Sequence, residues 1–207
     1  MTTAIYHISH VNNLPSIAEH GLLCDRTLAA RGANSHSIAF TAIKAIRART
    51  AVPCDPGGTL DDYVPFYFAP RSPMLYTINL GNVPSVADGQ QNIVHLVLRA
   101  EDLAEDQEFV FTSGHAIIAL SDYYNDLADL RKLDWTSINT RQWGSYYDPT
   151  DETKRKKQSE FLAHGRVAWE RVRGIAVHSE ACADLVRERL DGVAHVPRIA
   201  VKKDWYY

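Results

Sequence analysis

The chain is expected to fold as an α+β protein. Short apolar runs with strand-like alternation are mixed irregularly with stretches of helical spacing. Its 207 residues, 45% hydrophobic and 23% charged, suffice to bury a core of ordinary globular composition. No repeat, low-complexity tract or linker interrupts it, so residues 1–207 read as one domain.

In chain order, Ala4 to Ile8 alternates like a strand. Asn12 or Asn13 then caps a short helix with Pro15 in its first turn, which Gly21 closes. Ser37 to Arg49 has helical spacing through Ile38, Ile43 and Ile46, and Pro53 to Gly58 is a turn-rich loop. Val64 to Phe68, Ile93 to Leu98 and the residues around Phe109-Val110-Phe111 read as strands. Tyr124, Leu127 and Leu130 predict a helix over Ser121 to Lys132, with Ser121 as its cap. The last third alternates: Phe161 to Ala163 a strand, Gly174 to His178 a strand, Glu180 to Leu190 a helix, Ile199 to Lys202 a strand. In that helix Cys182, Leu185, Val186 and Leu190 make the buried stripe.

Three widely spaced cysteines, Cys24, Cys54 and Cys182, fit neither a disulfide framework nor a zinc pattern, and suit a reducing cytosol. No apolar run approaches a bilayer span and no signal-like segment is present, so a cytoplasmic protein without membrane attachment is expected. A net charge of −3 speaks against wholesale nucleic-acid binding, although Lys154-Arg155-Lys156-Lys157 concentrates four positive charges. No H-E-x-x-H, paired C-x-x-C or acidic metal cluster appears, so no metal is expected. No G-x-G-x-x-G turn is present either.

The most distinctive stretch is DYVPFYFAPRSPMLY, from Asp62 to Tyr76. It begins as a buried strand, breaks at Pro70, presents Arg71 and Ser72, and resumes with Met74, Leu75 and Tyr76. A core strand has no use for an arginine between two prolines, because proline cannot donate to a ladder and an unpaired buried charge is costly. Aromatic faces beside a fixed guanidinium suit a flat anionic ligand such as a nucleotide. The plain alternative is a proline-rimmed strand entering a loop with Arg71 solvated.

Four blocks carry a resemblance: IYHISHVNNLPSI, SIAFTAIKAIRARTAVP, DYVPFYFAPRSPMLY, and KRKKQSEFLAHG with KKDWYY. In order and spacing, from Ile5 to Tyr207, they resemble the DarT family of bacterial toxins, DNA ADP-ribosyltransferases that move ADP-ribose from NAD onto a base of single-stranded DNA. The resemblance implies an ADP-ribosyltransferase-like split β-sheet core with peripheral helices and NAD in a central cleft. It also implies thymidine as the target, modified at ring N3, and a separate macrodomain antitoxin that removes the mark. Guanosine, RNA or protein as acceptor, plain NAD hydrolysis, or a catalytically silent binding module are the alternatives.

Transfer of ADP-ribose breaks a glycosidic bond through an oxocarbenium-like state, which a carboxylate stabilises. One lost electrostatic contact of that kind costs ~3 kcal/mol, or ~100-fold in rate. By the resemblance the carboxylate is Glu160, in a K-K-Q-x-E-F-L pattern. Arg47 matches the second catalytic residue and a cofactor contact, with Arg49 as the alternative alignment. The Ile46 before it departs from an arginine common in relatives. His7, Ile8 and Ser9 match the first-strand NAD contacts. Tyr67 is the expected nicotinamide-stacking aromatic, with Tyr76 as its rival. Ser16 and Cys24 align with further NAD contacts where relatives commonly carry glycine and leucine. His115 matches a residue near the DNA channel, and Arg71, Met74, Lys154 and Arg155 are weaker DNA candidates. Single-stranded DNA would be held by base stacking and an electrostatic groove.

Overall fold

The computed structural model describes residues 2–32, 36–144 and 150–207. Ten strands are present among them: β1 (Ala4–His10), β2 (Leu22–Leu23), β3 (Tyr63–Tyr67), β4 (Ile93–Arg99), β5 (Phe109–Thr112), β6 (Tyr123–Tyr124), β7 (Glu160–His164), β8 (Arg166–Val167), β9 (Gly174–Val177) and β10 (Arg198–Val201). Eight form one sheet in the order β10-β9-β4-β1-β3-β7-β5-β6, and β2 pairs with β8 apart from it. Every pairing is antiparallel except β9 with β10. β4 and β7 are buried along nearly their whole length, as strands covered on both faces must be.

The sheet is split, and its sequence explains where. β1 pairs with β4 over seven residues, from Ala4↔Arg99 to His10↔Ile93, but meets β3 only at Tyr6↔Tyr67. The Pro65 carbonyl accepts a hydrogen bond from His7 Nδ1 at 2.9 Å, so it faces β1. In an extended strand a residue's N–H and C=O point to the same side. The amide that proline lacks is therefore the one that would have continued the ladder toward β1. A histidine side chain takes the bond instead, and the two halves of the sheet part there.

Short helices flank the sheet. The Leu14–His20 helix has Pro15 in its first turn and ends at Gly21, whose φ of +78° favours glycine and where a Cβ would strike the Val167 carbonyl. Asn13 occupies the cap position without capping; its amide instead pairs with the His36 backbone N–H and C=O at 2.8 and 3.0 Å. That clamp holds the chain before Phe40 out of a helix, so the expected Ser37–Arg49 helix contracts to Thr41–Arg47. The Glu180–Arg189 helix, capped by Ser179, buries Cys182, Val186 and the following Leu190 as anticipated, with Leu185 half-buried.

Two further expectations fail. Met74, Leu75 and Tyr76 do not resume a strand: they lie in a Pro73–Asn79 helix, capped by Ser72 Oγ, which accepts from the Leu75 N–H at 3.1 Å. The Ser-Pro pair is a helix start, with serine at the cap and proline in the first turn. Ser121 to Lys132 is not one helix, because Tyr123 and Tyr124 are taken by β5 as the edge strand β6, leaving a 3₁₀ stretch over Leu127–Lys132. Ser121 does not cap it; Asp126 does, and Ser121 Oγ donates to the His115 carbonyl.

One face of the sheet buries Phe66, Phe68, Phe111 and Phe161 in edge-to-face contact. The other face packs Ile8, Leu75, Ile78 and Ile93 against the terminal aromatic Tyr206. The Tyr206 hydroxyl sits 2.9 Å from the Ile93 carbonyl, 3.1 Å from that of Ala176 and 3.1 Å from His95 Nδ1, while His95 Nε2 meets the Pro70 carbonyl at 2.9 Å. Burial pushes the His95 pKa down to about 4, against the Pro70 bond, so the ring is neutral and its one N–H belongs to Pro70. Tyr206→Phe strips this centre of its hydroxyl and is expected to lower stability by ~1–2 kcal/mol. Denaturant unfolding should show a lower midpoint at unchanged slope; an unchanged midpoint would remove the network from the stabilising interactions.

Candidate active site

Three residues meet at the split. Glu160 opens β7 and pairs in register with Tyr67 at the end of β3. Tyr67 in turn stands opposite Tyr6, the neighbour of His7 on β1. Histidine, tyrosine and glutamate thus lie on three adjacent strands. His7 is held neutral because burial lowers its pKa more than the Pro65 bond and the charge of Asp25 raise it. With Nδ1–H donated to Pro65, Nε2 keeps an acceptor lone pair.

Glu160 is 4% exposed and its oxygens are fully engaged. Oε2 accepts from Arg47 Nη1 at 2.9 Å; Oε1 lies 3.1 Å from both the Ala116 N–H and His115 Nδ1. Burial pushes the carboxyl pKa up, but the Arg47 charge, the His115 contact and the Ala116 amide outweigh it and hold the group down at about 2. This folded value lies below the ordinary 4.5, so ionised Glu160 adds stability above that pH and the contribution is lost as pH falls toward 2. Arg47 ends the Thr41–Arg47 helix, is itself buried, and also donates to the Leu60 carbonyl at 3.3 Å. Arg49, the alternative alignment, is exposed.

A cavity of about 630 Å³ opens over this cluster, a size suited to a small-molecule ligand. His7, Ile8, Ser9, Ser16, Tyr67 and Tyr76 line it together with Arg47 and Glu160, as do His115, Met74 and Lys154. Three expected residues do not. Cys24 is packed in the core with Sγ 3.2 Å from Thr27 Oγ1, while its neighbours Leu23 and Asp25 face the cavity. Arg71 lies 4.2 Å over the Tyr207 ring, bracing the wall from behind. Arg155 is spent on Glu152, at 2.8 and 3.0 Å, and packs over Gly114, where its guanidinium leaves no room for a Cβ.

The four-residue basic run is therefore not a continuous phosphate track. It coils into the short Thr153–Lys157 helix, and successive side chains point around the axis. Lys156 pairs with Asp134 at 3.2 Å. Lys157 is buried, donates to the Ile138 and Thr140 carbonyls, and has its pKa pushed down to about 8 by burial and by Arg71. Lys154 alone of the four reaches the cavity, with Nζ 5.9 Å from the Trp143 ring.

Trp143, which lines the cavity beside Lys154, was not anticipated from the sequence. Tyr76 meets Trp143 and Tyr207 edge-on at 5.3 and 5.0 Å, and Trp143 Nε1 donates to the Tyr207 hydroxyl at 3.1 Å. That hydroxyl donates to the Ser72 carbonyl at 3.3 Å, and Gln90 grips the Tyr207 backbone. KKDWYY carried a signal for Tyr207; the lone Trp143 and the Ala116 amide carried none. Among the described residues no group of three or more His, Cys, Asp or Glu could hold a metal ion, and no helix is long and apolar enough to cross a membrane.

The profile of one protein family, described as "ssDNA thymidine ADP-ribosyltransferase, DarT", matches residues 6–207. A "DNA ADP-ribosyl transferase" of Thermus sp. (strain 2.9) is 39% identical over 99% of this chain and 96% of its own. The structure of "Thermus sp. 2.9 DarT in complex with ADP-ribosylated ssDNA" superposes with a TM-score of 0.91 at 39% identity, covering 99% of this chain and 96% of that one. The same protein "in complex with NAD+" superposes at 0.84 and 38% identity, covering 99% and 98%. A "DNA ADP-ribosyl transferase-DNA ADP-ribosyl glycohydrolase fusion protein" of Thermosipho africanus is 22% identical over 76% of this chain and 38% of its own.

The balance of charges at Glu160 is open to test. Arg47→Gln removes the largest influence opposing burial, so the Glu160 pKa is expected to climb from about 2 toward or above the ordinary 4.5. Carbon-detected NMR titration of the side-chain carboxyl checks this; a midpoint that stays near 2 would show that His115 and Ala116 suffice.

Proposed function

The chain belongs to the DarT family of single-stranded-DNA thymidine ADP-ribosyltransferases, and on that premise we propose how its residues carry the reaction. It is an NAD-dependent DNA ADP-ribosyltransferase. One observation supports Glu160 and Arg47 as the catalytic pair: an ionised carboxylate, almost out of water, on the wall of the cavity where the sheet opens.

Bound NAD supplies an ADP-ribosyl group with nicotinamide as the leaving group. The residues fit such a ligand: neutral His7 offers an acceptor, Ser9 and Ser16 offer hydroxyls, and Tyr67 offers an aromatic face within the same cavity. Glu160 keeps its negative charge at any working pH and faces it toward the positive charge that develops at the anomeric carbon. A carboxylate this acidic is a poor base, so the thymine N3–H needs more. Arg47 is shared between Glu160 and the incoming base carbonyl. As its guanidinium turns to the base, Glu160 loses its principal partner, its pKa rises, and it accepts the N3 proton. His115 holds Oε1 meanwhile.

Acceptor bases enter from the Met74, Trp143 and Lys154 side, where stacking surface and one cation stand together. A ring nitrogen is reachable only in an unpaired base, which accounts for a single-stranded substrate. A transferase of this kind damages its host's DNA and works as the toxin of a toxin–antitoxin pair in the cytosol. A macrodomain hydrolase would reverse the mark, and the fusion of transferase with glycohydrolase in the Thermosipho protein supports that partnership.

Incubation with NAD and separate single-stranded DNA, duplex DNA, RNA and protein acceptors, read by mass spectrometry, is expected to yield one ADP-ribosyl group on thymidine N3 of the single strand. Adduct on RNA alone would overturn the reading. Glu160→Ala is expected to lose ~100-fold or more in transfer while melting like a folded protein. Because Lys154 is the member of the basic run that faces the cavity, Lys154→Gln should lower the slope of log K against log salt for DNA binding by about one. Equal slopes for the two proteins would take Lys154 off the DNA path.

A further inference from the structure

Lys44, Arg47 and Lys154 are the lysine and arginine side chains on the cavity wall among the described residues. Arg47 is matched by Glu160, and Lys154 stands beside Trp143 at the proposed DNA side. Lys44 remains. It lies one turn before Arg47 on the same helix, about 5 Å along the axis, so the two face the same way. Its Nζ meets Asp25 Oδ1 at 2.9 Å, and the two side chains are 33% and 32% exposed. Asp25 begins the Asp25–Ala30 helix, faces the same cavity, and is near enough for its charge to act on the His7 ring.

A dinucleotide brings a diphosphate with two negative charges into this space. Placed beside Asp25 with no cation between, it would be repelled. An ammonium with three rotatable donors is a good point anchor for phosphate oxygens. Partial exposure matters too: a pair this wet contributes little to stability and is screened, so its partner can be exchanged at small cost. His7, Ser9, Lys44 and Arg47 line the same cavity as Glu160, so a dinucleotide seated over Glu160 shares that space with Lys44.

We propose that Lys44 anchors the diphosphate of the bound dinucleotide, and that Asp25 holds the lysine in place until the ligand displaces it. This rests on the NAD-dependent reading given above. The ion pair is a placeholder at the cofactor end of the cavity, and its two members have opposite effects on binding.

Calorimetric titration of the full chain with NAD and with ADP-ribose, which share the diphosphate, tests this without any turnover. Lys44→Gln is expected to weaken both ligands ~10-fold, the loss of one charge-assisted hydrogen bond, and to flatten the salt dependence of their Kd. Asp25→Asn is expected to tighten both by ~3-fold, because a competing carboxylate is gone. Melting of the ligand-free variants controls for folding. An unchanged Kd in Lys44→Gln, or weakening by Asp25→Asn as well, would overturn the inference and leave the pair a strut between helices. Wild-type protein that binds neither ligand would instead overturn the NAD-dependent reading itself.

Discussion

A carboxylate shut away from water stays charged only if donors surround it, and the neighbourhood of Glu160 is built around that requirement. Two elements that share no local sequence converge on the oxygens that β7 presents: the end of the Thr41–Arg47 helix and the loop that carries His115 and Ala116. Removing one partner of such a buried pair typically costs ~3–5 kcal/mol, because the other charge is stranded. Compensation therefore fixes the position of the helix and the loop as firmly as it fixes the charge. A site assembled this way is preorganised before any ligand enters, which is where electrostatic stabilisation is most effective.

The opening beside it has an equally specific cause. Pro65 sits in the middle of an interior strand, whereas proline is normally confined to edge strands, and it creates an edge inside an eight-stranded sheet. His7 closes the one bond that cannot be left open and is thereby fixed in tautomer and orientation. The same proline that parts the sheet also sets the histidine. The cavity lies at this seam, with Tyr67 at the last pairing before the strands diverge.

Charge is distributed along the cavity in pairs. Glu160 answers Arg47, Asp25 answers Lys44, and beyond Trp143 the basic helix spends Arg155 and Lys156 on Glu152 and Asp134. What distinguishes these pairs is exposure. The Arg47–Glu160 pair is nearly dry and opens only toward a group that replaces the lost partner, such as a base carbonyl, while the Asp25–Lys44 pair is wet and easily exchanged. A net charge of −3 is thus compatible with two anionic substrates, because the cations that face them are few and placed.

Period and punctuation in the sequence by themselves determined the strands β1, β3, β4, β5, β7, β9 and β10, the helix closed by Gly21, the helix from Glu180, and the α+β class, since these depend on side-chain alternation and backbone preference over a few residues. The blocks around His7, Arg47, Tyr67 and Glu160 also pointed to the cofactor and the chemistry. The Ser72-Pro73 start of the helix that carries Met74 to Tyr76 was equally local. Only tertiary structure decided that Tyr123 and Tyr124 become an edge strand, and that Cys24, Arg71 and Arg155 stay off the cavity wall. It also decided that Trp143, Tyr207 and Lys44 belong beside residues far from them in the chain. The reason is physical: Phe111 and Thr112 take Tyr124 and Tyr123 through ladder bonds, Tyr207 meets Trp143 and Ser72 across 64 and 135 residues, and Asp25 meets Lys44 from another helix, and local spacing carries no record of which group will arrive from elsewhere in the chain.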